Sequence, residues 1–392
     1  MLGARGSVAT CVAYGLAGLR EGLIEPVGLI TESAPFGRLD LIGIEDLVLA
    51  GSDVCRRALT DSAGELVKNR VLDSDLVAAT AQPAAAFEAR IRPGVLDSAD
   101  VGLADLEPES ARLGALVPRE QVRAVQADLQ AFQTSLELDR VVVCNLASTE
   151  AHRDMRPEWA DLAAFEQALD AGQPQPASVL YAYAALERGH PFINFTPARA
   201  ASIPALRELA RSRGVPHCGS DGKTGETLVK TVLAPMFTAR RLRVLAWQGY
   251  NMLGNRDGEV LRDPLHREAK LLNKDTALRS ILGDADVHTH VGIDYVPSLQ
   301  DWKTAWDLIH FEGFLGARMS LHFTWTGSDS ALAAPLCIDL ARLCDFAAGR
   351  GEVGEMEHTA CFFKSPIAGG THDFHAQFER LMEYARRHAA GR

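Results

Sequence analysis

Lysine is scarce in this chain, which has seven lysines and 33 arginines among its 392 residues. Arginine can fill most surface roles of lysine, but its guanidinium stays charged, whereas the pKa of a lysine shifts readily when the amine is buried. Chemistry in which an amine holds or passes a proton therefore requires lysine. Six of the seven fall in one stretch, which favours a role in a reaction for members of this group over chance clustering: Lys223, Lys230, Lys270, Lys274, Lys303 and Lys364.

The sequence also lacks the features of several other classes of protein. It has no run of eighteen apolar residues, so no membrane span is predicted. Its net charge is −11 without a basic stripe, which argues against a nucleic-acid partner. The seven cysteines include no C-x-x-C pair, which favours reduced thiols in a cytoplasmic protein. An anionic substrate would need a local pocket of cations, and the grouped lysines are candidates for it.

The first two thirds of the chain alternate between apolar strands and helices. Continuous apolar runs predict strands buried on both faces, as in a parallel sheet, and the alternation predicts an α/β fold with helices on both sides of that sheet. An acidic segment rich in leucine and alanine, from 60 to 135, predicts inserted helices without strands. The predicted strands are 27–30, 140–144, 192–195 and 215–218, and the predicted helices include 178–186 and 203–211.

Longer segments with alternating polar and apolar residues follow after about Gly219. They predict a second, α+β unit, in keeping with a chain too long for one ordinary core. The predicted strands are 242–250, 287–296 and 318–325, and the predicted helices are 226–237, 274–282, 301–309, 330–348 and 373–387.

The chain opens with a glycine-rich turn, M-L-G-A-R-G-S-V-A, before an apolar helix that runs to about Leu19. Gly3 and Gly6 have the spacing of a dinucleotide-binding turn, in which the backbone approaches a pyrophosphate at the start of the helix. Glu32, at the end of the next predicted strand, lies where an acidic residue commonly holds the adenosine ribose. An ordinary helix with a glycine-rich start is the alternative.

Only Met1 and Leu2 precede this turn, although a Rossmann sheet places its first, central strand there. We therefore expect a gap or frayed edge in the sheet beside the glycine turn. We also expect the native protein to start upstream, with an apolar strand of about five residues before Met1.

Ordered motifs along the chain indicate a family. They are C-N-L-A-S-T-E at 144–150, N-F-T-P at 194–197, G-S-D-G-K-T-G-E-T-L-V-K at 219–230, W-Q-G-Y-N-M-L-G-N-R-D-G at 247–258, G-I-D-Y-V-P-S-L-Q-D-W-K at 292–303, D-S-A-L-A-A-P-L at 329–336 and F-F-K-S-P at 362–366. Together with the glycine turn, they resemble the myo-inositol-1-phosphate synthase family, especially its archaeal-type members, over nearly the whole chain.

The resemblance implies an NAD-dependent enzyme of two domains that converts D-glucose 6-phosphate to 1D-myo-inositol 3-phosphate. C5 of the sugar is oxidised, the acidified C6 attacks the C1 aldehyde in an intramolecular aldol step, and the ketone is then reduced again. The implied fold is a Rossmann-like NAD-binding domain, 1–218 completed by 335–392, with an α+β catalytic and tetramerisation domain at 219–334. A homotetramer serving inositol and phospholipid biosynthesis is implied too, and some members also use a divalent or monovalent cation.

By motif, five residues are carried over to the sugar phosphate. The resemblance implies that Lys270 handles the C5 hydroxyl proton and that Lys274 grips the phosphate. Lys303 and Lys364 would steady the C5 and C1 oxygens, and Asp329 would orient a nearby lysine. Such ammonium groups can stabilise a developing oxyanion.

The NAD contacts are carried over in the same way. Whether Lys223 contacts NAD or the substrate stays open, and Lys230 is interpreted as structural. The implied cofactor-binding residues are Gly3, Arg5, Gly6, Ser7, Val8, Glu32, Ser148, Thr149, Thr196, Asp221, Thr224, Asn255, Asp257, Asp301 and Ser330.

Three other functions stay open from the sequence. The same machinery could cyclise another sugar phosphate, such as fructose 6-phosphate, to a five-membered cyclitol phosphate. A plain NAD-dependent dehydrogenase would release NADH in proportion to product. A non-catalytic NAD-binding protein is the third, and the complete lysine set argues against it.

Overall fold

The computed structural model describes residues 1–96, 105–151, 153–254, 258, 278–283 and 287–389. Within these ranges no helix is long and apolar enough to cross a membrane. The helices are α1 (Ser7–Arg20), α2 (Leu59–Lys68), α3 (Ser74–Ala79), α4 (Ala81–Glu88), α5 (Pro108–Gly114), α6 (Pro118–Ser135), α7 (Leu162–Asp170), α8 (Ala177–Glu187), α9 (Pro204–Arg213), α10 (Glu226–Ala239), α11 (Asp329–Gly349) and α12 (Phe374–Ala389), with a further helical stretch at 278–282.

A parallel sheet forms the centre of the first unit. Its strands are β1 (Gly51–Asp53), β2 (Ile91–Pro93), β3 (Val143–Asn145), β4 (Phe192–Asn194), β5 (Pro216–Gly219) and β10 (Gly354–Glu355). All strand pairs are parallel, in the orders β1–β2 and β10–β5–β4–β3. Helix α8, buried along nearly its whole length, packs against this sheet because its alanines and tyrosines leave no polar face. The predicted α/β fold is confirmed.

Leu2 joins the two halves of this sheet. It forms parallel bridges with Ser52 of β1 and Asn145 of β3, so a single residue occupies the central strand position. The amino group of Met1 donates a hydrogen bond of 2.7 Å to the carbonyl of Ala50. A cavity of about 1140 Å³ lies beside Met1 and Leu2, between the flanking strands and helices α1, α6 and α11.

Two predictions in the first unit are wrong. Residues 27–30 form no strand: Gly28 has a positive φ of 90°, and a short 3-10 helix follows at Ile30–Glu32. The segment 60–135 does contain a strand, because β2 pairs with β1. Only three residues long and containing a proline, β2 gives no alternating pattern by which sequence could reveal it.

The second unit is a mixed sheet of four strands in the order β7–β6–β8–β9: β6 (Arg243–Leu253), β7 (His288–Tyr295), β8 (Trp302–Glu312) and β9 (Arg318–Ser328). The helix predicted at 301–309 is wrong, since that segment is β8. Its residues alternate between the two faces and it pairs antiparallel with both β6 and β9. From β9 the chain returns through α11 to the first unit, where β10 pairs with β5.

Candidate active site

The carboxyl ends of the parallel strands meet at the start of α1. Gly3 has a φ of 73°, and a Cβ there would lie 2.8 Å from the Cα of Ala147, so this turn requires glycine. No side chain caps the start of α1 among the described residues, and its first turn carries no acidic residue. The N–H groups of Ser7 and Val8 precede the first hydrogen bond of the helix, from Thr10 to Gly6, and together with the positive end of the helix dipole they suit an anion.

Asp53, at the end of β1, lies directly beside this turn. Its carboxylate accepts hydrogen bonds from the backbone N–H of Arg5 at 2.7 Å and of Cys55 at 2.9 Å. The Arg5 guanidinium in turn donates to the carbonyl of Cys55. An acidic residue at the end of the strand next to the glycine turn is the usual partner of the adenosine ribose.

Glu32 does not hold the place predicted for it. It ends the short 3-10 helix after α1, and its carboxylate pairs with Arg342 of α11 at 2.5 Å. Asp339, one turn earlier on α11, accepts hydrogen bonds from the backbone of Ile30 and from Thr31. Glu32 thus helps to fasten this segment to α11. A long connection separates α1 from β1, so Glu32 does not end a strand, and Asp53, which the sequence analysis did not single out, is the acidic residue at the end of β1.

A buried polar network lies behind the ends of β3 and β4. The amide of Asn145 donates to Asn194 and to the hydroxyl of Thr196, and the Thr196 hydroxyl donates to Asn194 at 2.9 Å. Thr149 is buried after β3, whereas Ser148 is exposed. The carbonyl of Thr196 accepts from the backbone N–H of Asp221, so the loops after β4 and β5 are joined.

Lys364 and Asp221 form the first of two lysine–aspartate pairs at this edge. The Lys364 Nζ donates to the Asp221 Oδ1 at 2.7 Å, and both side chains are largely buried. Asp221 has a φ of 62°, a conformation that aspartate adopts more readily than most residues. Residues 143 positions apart in sequence thereby meet beside β5.

Lys303 and Asp329 form the second pair. The Lys303 Nζ lies 3.3 Å from one carboxylate oxygen of Asp329, and the hydroxyl of Thr224 donates to the other at 2.9 Å. Lys303 is on the inner face of β8 and is 7% exposed. Because Thr224 follows Asp221 by three residues, the two pairs share one loop.

Asp301 and Ser330 connect the second pair to the glycine turn. The hydroxyl of Ser328 donates to the Asp301 carboxylate at 2.6 Å, and the hydroxyl of Ser330 donates to it at 3.0 Å. Burial raises the pKa of Asp301. Burial also raises the pKa of Cys11 on α1, and the charge of Asp301 raises it further. Asp301 therefore lies close to the helix that follows the glycine turn.

Lys230 is separate from these pairs. Its ammonium lies 2.6 Å from Glu226 and 3.2 Å from Asp307, with all three side chains buried between α10 and the inner face of the mixed sheet. The attraction of the two carboxylates outweighs burial, so the pKa of Lys230 is raised. This closed cluster supports the structural interpretation of Lys230.

Four predicted site residues lie outside the described residues: Asn255, Asp257, Lys270 and Lys274. Among the residues that are described, no group of three or more His, Cys, Asp or Glu side chains could hold a metal ion.

The chain matches the model of the myo-inositol-1-phosphate synthase family over residues 1–386. The chain belongs to this family. It is 33% identical over 403 residues to inositol-3-phosphate synthase 1 of Bacteroides thetaiotaomicron, with 97% of this chain and 90% of that protein covered. It is 31% identical to inositol-3-phosphate synthase isozyme 2 of Arabidopsis thaliana, covering 87% of this chain and 66% of the plant protein. The resemblance drawn from the motifs is confirmed.

Two solved structures share the fold. The inositol-3-phosphate synthase of Caenorhabditis elegans superposes with a TM-score of 0.87 at 21% identity, covering 99% of this chain and 84% of that one. A myo-inositol-1-phosphate synthase-related protein from Thermotoga maritima has a TM-score of 0.75 at 24% identity, covering 98% and 97%. The Rossmann-like sheet with a second α+β unit is therefore the fold of this family.

Proposed function

We propose that this protein is an NAD-dependent isomerising cyclase that converts D-glucose 6-phosphate to 1D-myo-inositol 3-phosphate. The observation that carries the proposal is the meeting of the pairs Lys364–Asp221 and Lys303–Asp329 at one edge of the sheet, beside a glycine turn that suits a dinucleotide. The Bacteroides relative, of which this chain covers 90%, is named as an inositol-3-phosphate synthase.

The residues at the glycine turn fit NAD. Ser7 and Val8 would donate their N–H groups to its pyrophosphate, Gly3 and Gly6 would let the backbone approach it, and no carboxylate occupies the first turn of α1. Asp53, rather than Glu32, would hold the adenosine ribose. When bound, NAD supplies the hydride acceptor for oxidation at C5 and the hydride donor for the final reduction. The further proposed contacts are Arg5, Ser148, Thr149, Thr196, Asp221, Thr224, Asp301 and Ser330, with Asn255 and Asp257 by motif.

Lys303 and Lys364, the two candidate catalytic lysines that the structure describes, would act on oxygen atoms of the sugar. Each ammonium is held by an aspartate in a largely buried position, so each can stabilise negative charge at the C5 or C1 oxygen without first reorganising solvent. Asp329 would keep Lys303 oriented, and Thr224 in turn orients Asp329. Lys270 and Lys274 remain proposals from motif, for the C5 hydroxyl proton and for the phosphate. We propose 219–334 as the catalytic domain and 1–218 with 335–392 as the NAD-binding domain.

Product identity tests this function directly. The protein is incubated with NAD and either glucose 6-phosphate or fructose 6-phosphate, and the product is identified by phosphorus and proton NMR. We expect an inositol phosphate from glucose 6-phosphate, with no NADH accumulating at 340 nm in proportion to product. A five-membered cyclitol phosphate would favour the alternative substrate, and stoichiometric NADH would show a dehydrogenase.

We also propose a homotetramer in which the outer face of the mixed sheet is one interface. Tyr250, Trp306, His290 and His322 form a row of ring contacts across this face, and Tyr250 and Trp306 are more than a third exposed. Aromatic side chains are enriched in the core of protein interfaces. Light scattering should give a smaller assembly for Trp306→Asp than for the control Val117→Asp, an exposed site before α6. Equal masses would contradict this assignment.

The cellular setting follows as a further part of the proposal. All seven cysteines are free thiols, which fits a reducing compartment such as the cytoplasm. An inositol phosphate product would serve inositol and phospholipid biosynthesis. A divalent or monovalent cation requirement can be measured by adding salts back to chelator-treated protein during the same NMR assay.

A further inference from the structure

Lys223 is a buried lysine that the proposed reaction does not use. It is 2% exposed and lies between Asp221 and Thr224, the two residues that hold the lysine pairs. Its Nζ donates a hydrogen bond of 2.6 Å to the side-chain oxygen of Gln377, which is fully buried in the first turn of α12. Burial lowers the pKa of Lys223 to about 8, and the nearby charge of Lys364 also lowers it. Burying an amine is costly, so its contacts call for an explanation.

The backbone around Lys223 runs alongside the segment that carries Lys364. The N–H of Lys364 donates to the carbonyl of Asp221 at 2.7 Å, and the N–H of Lys223 donates to that of Phe362 at 2.8 Å. Ser220 and Ser365 exchange two further backbone hydrogen bonds. The position of the Lys364 ammonium therefore depends on how firmly 362–367 is held against 219–223.

Gln377 connects this ladder to the last helix. While its oxygen accepts from Lys223, its amide nitrogen donates to the carbonyl of Thr371 at 2.7 Å. The Lys223 ammonium also lies 5.7 Å from the centre of the Phe374 ring, within the range of a cation–π contact. The chain between Lys364 and α12 is thus tied at both ends to the loop after β5.

We propose that Lys223 is a positioning residue: its contact with Gln377 fixes the segment 362–367 on the loop after β5 and so holds Lys364 at the reacting sugar. This inference rests on the proposed function, because it assigns Lys223 a part in that reaction. It makes the start of α12 a functional element of the site.

The first test separates positioning from binding. Lys223→Met and Gln377→Leu remove the contact, and each should lower kcat about 10- to 100-fold while the Kd for NAD changes less than about threefold. The double variant should lose no more than the worse single variant, because both break one contact. Gln121→Leu is the matched control, since Gln121 is a buried glutamine on α6 whose amide donates to the carbonyls of Leu113 and Gly114, away from the loop after β5. Its kcat should equal that of the wild type.

A conservative variant provides the rescue. Gln377→Glu keeps an acceptor for the Lys223 ammonium, so its kcat should exceed that of Gln377→Leu by at least about tenfold. Equal kcat for Gln377→Glu and Gln377→Leu, wild-type kcat for Lys223→Met, or losses that multiply in the double variant would each overturn the positioning role.

The second test does not depend on activity. Hydrogen exchange of peptides covering 362–367, followed by mass spectrometry without substrate, should be at least about tenfold faster in Lys223→Met and Gln377→Leu than in the wild type and in Gln121→Leu. Unchanged exchange would overturn the inference. If exchange is faster in the two variants but the wild-type protein forms no cyclitol phosphate, the proposed function is refuted while the structural role of the contact stands.

Discussion

At the scale of single residues, the two lysine–aspartate pairs are built for an ammonium rather than a guanidinium. Lys303 is 7% exposed on a strand, and its Nζ lies 3.3 Å from the Asp329 carboxylate. The guanidinium of arginine is larger and planar and does not give up a proton. Arginine would therefore keep the positive charge but would not fit the position of the lysine ammonium. The same reasoning applies to Lys364 beside Asp221.

We therefore expect Lys303→Arg and Lys364→Arg each to lose at least about a hundredfold in turnover, because one oxyanion-stabilising group contributes roughly 10²–10³ in rate. NAD binding, measured by fluorescence titration, should be unchanged. Lys68→Arg, at the end of α2 and outside the site, is the control and should turn over normally. Near wild-type activity in both site variants would disprove the proposed site.

His217 gives a prediction about pH. It is fully buried in β5, and neither ring nitrogen has a hydrogen-bond partner in the described part of the chain. Burial lowers the pKa of His217 to about 4. The positive charges of Arg207 and Arg211 also lower this pKa, whereas the negative charge of Glu355 raises it. The folded state therefore keeps His217 neutral, while the unfolded chain takes up a proton below about pH 6.5.

Stability should consequently fall as the pH drops from 7 to 5, with His217 accounting for about 2 kcal/mol of the loss. In thermal melts, His217→Leu should show a smaller decrease in Tm over this range than the wild type. His375→Leu, near the start of α12, should behave like the wild type. Identical pH dependence in wild type and His217→Leu would show that the ring is not held neutral by the fold.

Residue types and motifs predicted the members of the site better than their partners. Lys303, Lys364, Asp221, Thr224 and Asp329 were chosen by motif, and the structure brings all five together. Which lysine meets which aspartate depends on the return of the chain through α11, which no local pattern encodes. Glu32 was expected to end a strand because the usual spacing assumes that a strand follows α1 directly, whereas here β1 begins only at Gly51.

At the scale of elements, the mixed sheet is attached to α10 by a charged cluster. Gly249 of β6 faces the ammonium of Lys230 and the carboxylates of Glu226 and Asp307; a Cβ there would lie 2.5, 2.6 and 2.9 Å from them. Lys230 cannot move aside without leaving two buried carboxylates unpaired. The cluster therefore fixes the distance between helix and sheet.

Gly249→Ala should destabilise the protein by about 1–3 kcal/mol, as overpacking does in a closed interior. Gly15→Ala in α1 is the matched control: a Cβ there meets nothing within 4 Å, so helix propensity should leave its Tm equal or higher. Thermal melts of the two variants and the wild type measure this difference. A Tm of Gly249→Ala equal to that of the wild type would show that the charged cluster accommodates the added Cβ without loss of stability.

Strand β8 shows why element type was harder to predict here than element position. Its segment was expected to be a helix, although Lys303, Ala305, Asp307 and Ile309 alternate onto one face. Two of those inward residues are charged, which obscures the apolar period by which strands are recognised. Their burial is explained only by partners far away in sequence, Asp329 for Lys303 and Lys230 for Asp307.

At the scale of the whole molecule, the central strand position of the parallel sheet borders a cavity of about 1140 Å³. Leu2 bridges β1 and β3 at this position. The ammonium of Met1 is buried beside that cavity, and burial lowers its pKa. Backbone hydrogen bonds from residues 1–4 to both flanking strands therefore set the direction of the glycine turn.

An added strand should fill this position. We expect five apolar β-forming residues, fused before Met1, to continue the ladder that already runs from the Met1 nitrogen to Ala50, because an amide N–H can replace the buried ammonium there. The fusion should raise the Tm by several degrees and tighten NAD binding, since it buries apolar surface and steadies Gly3. A Gly/Ser extension of equal length is the control and should leave both unchanged. If the two extensions behave alike, the cavity does not accept a strand, and the single bridge at Leu2 is sufficient to aim the turn.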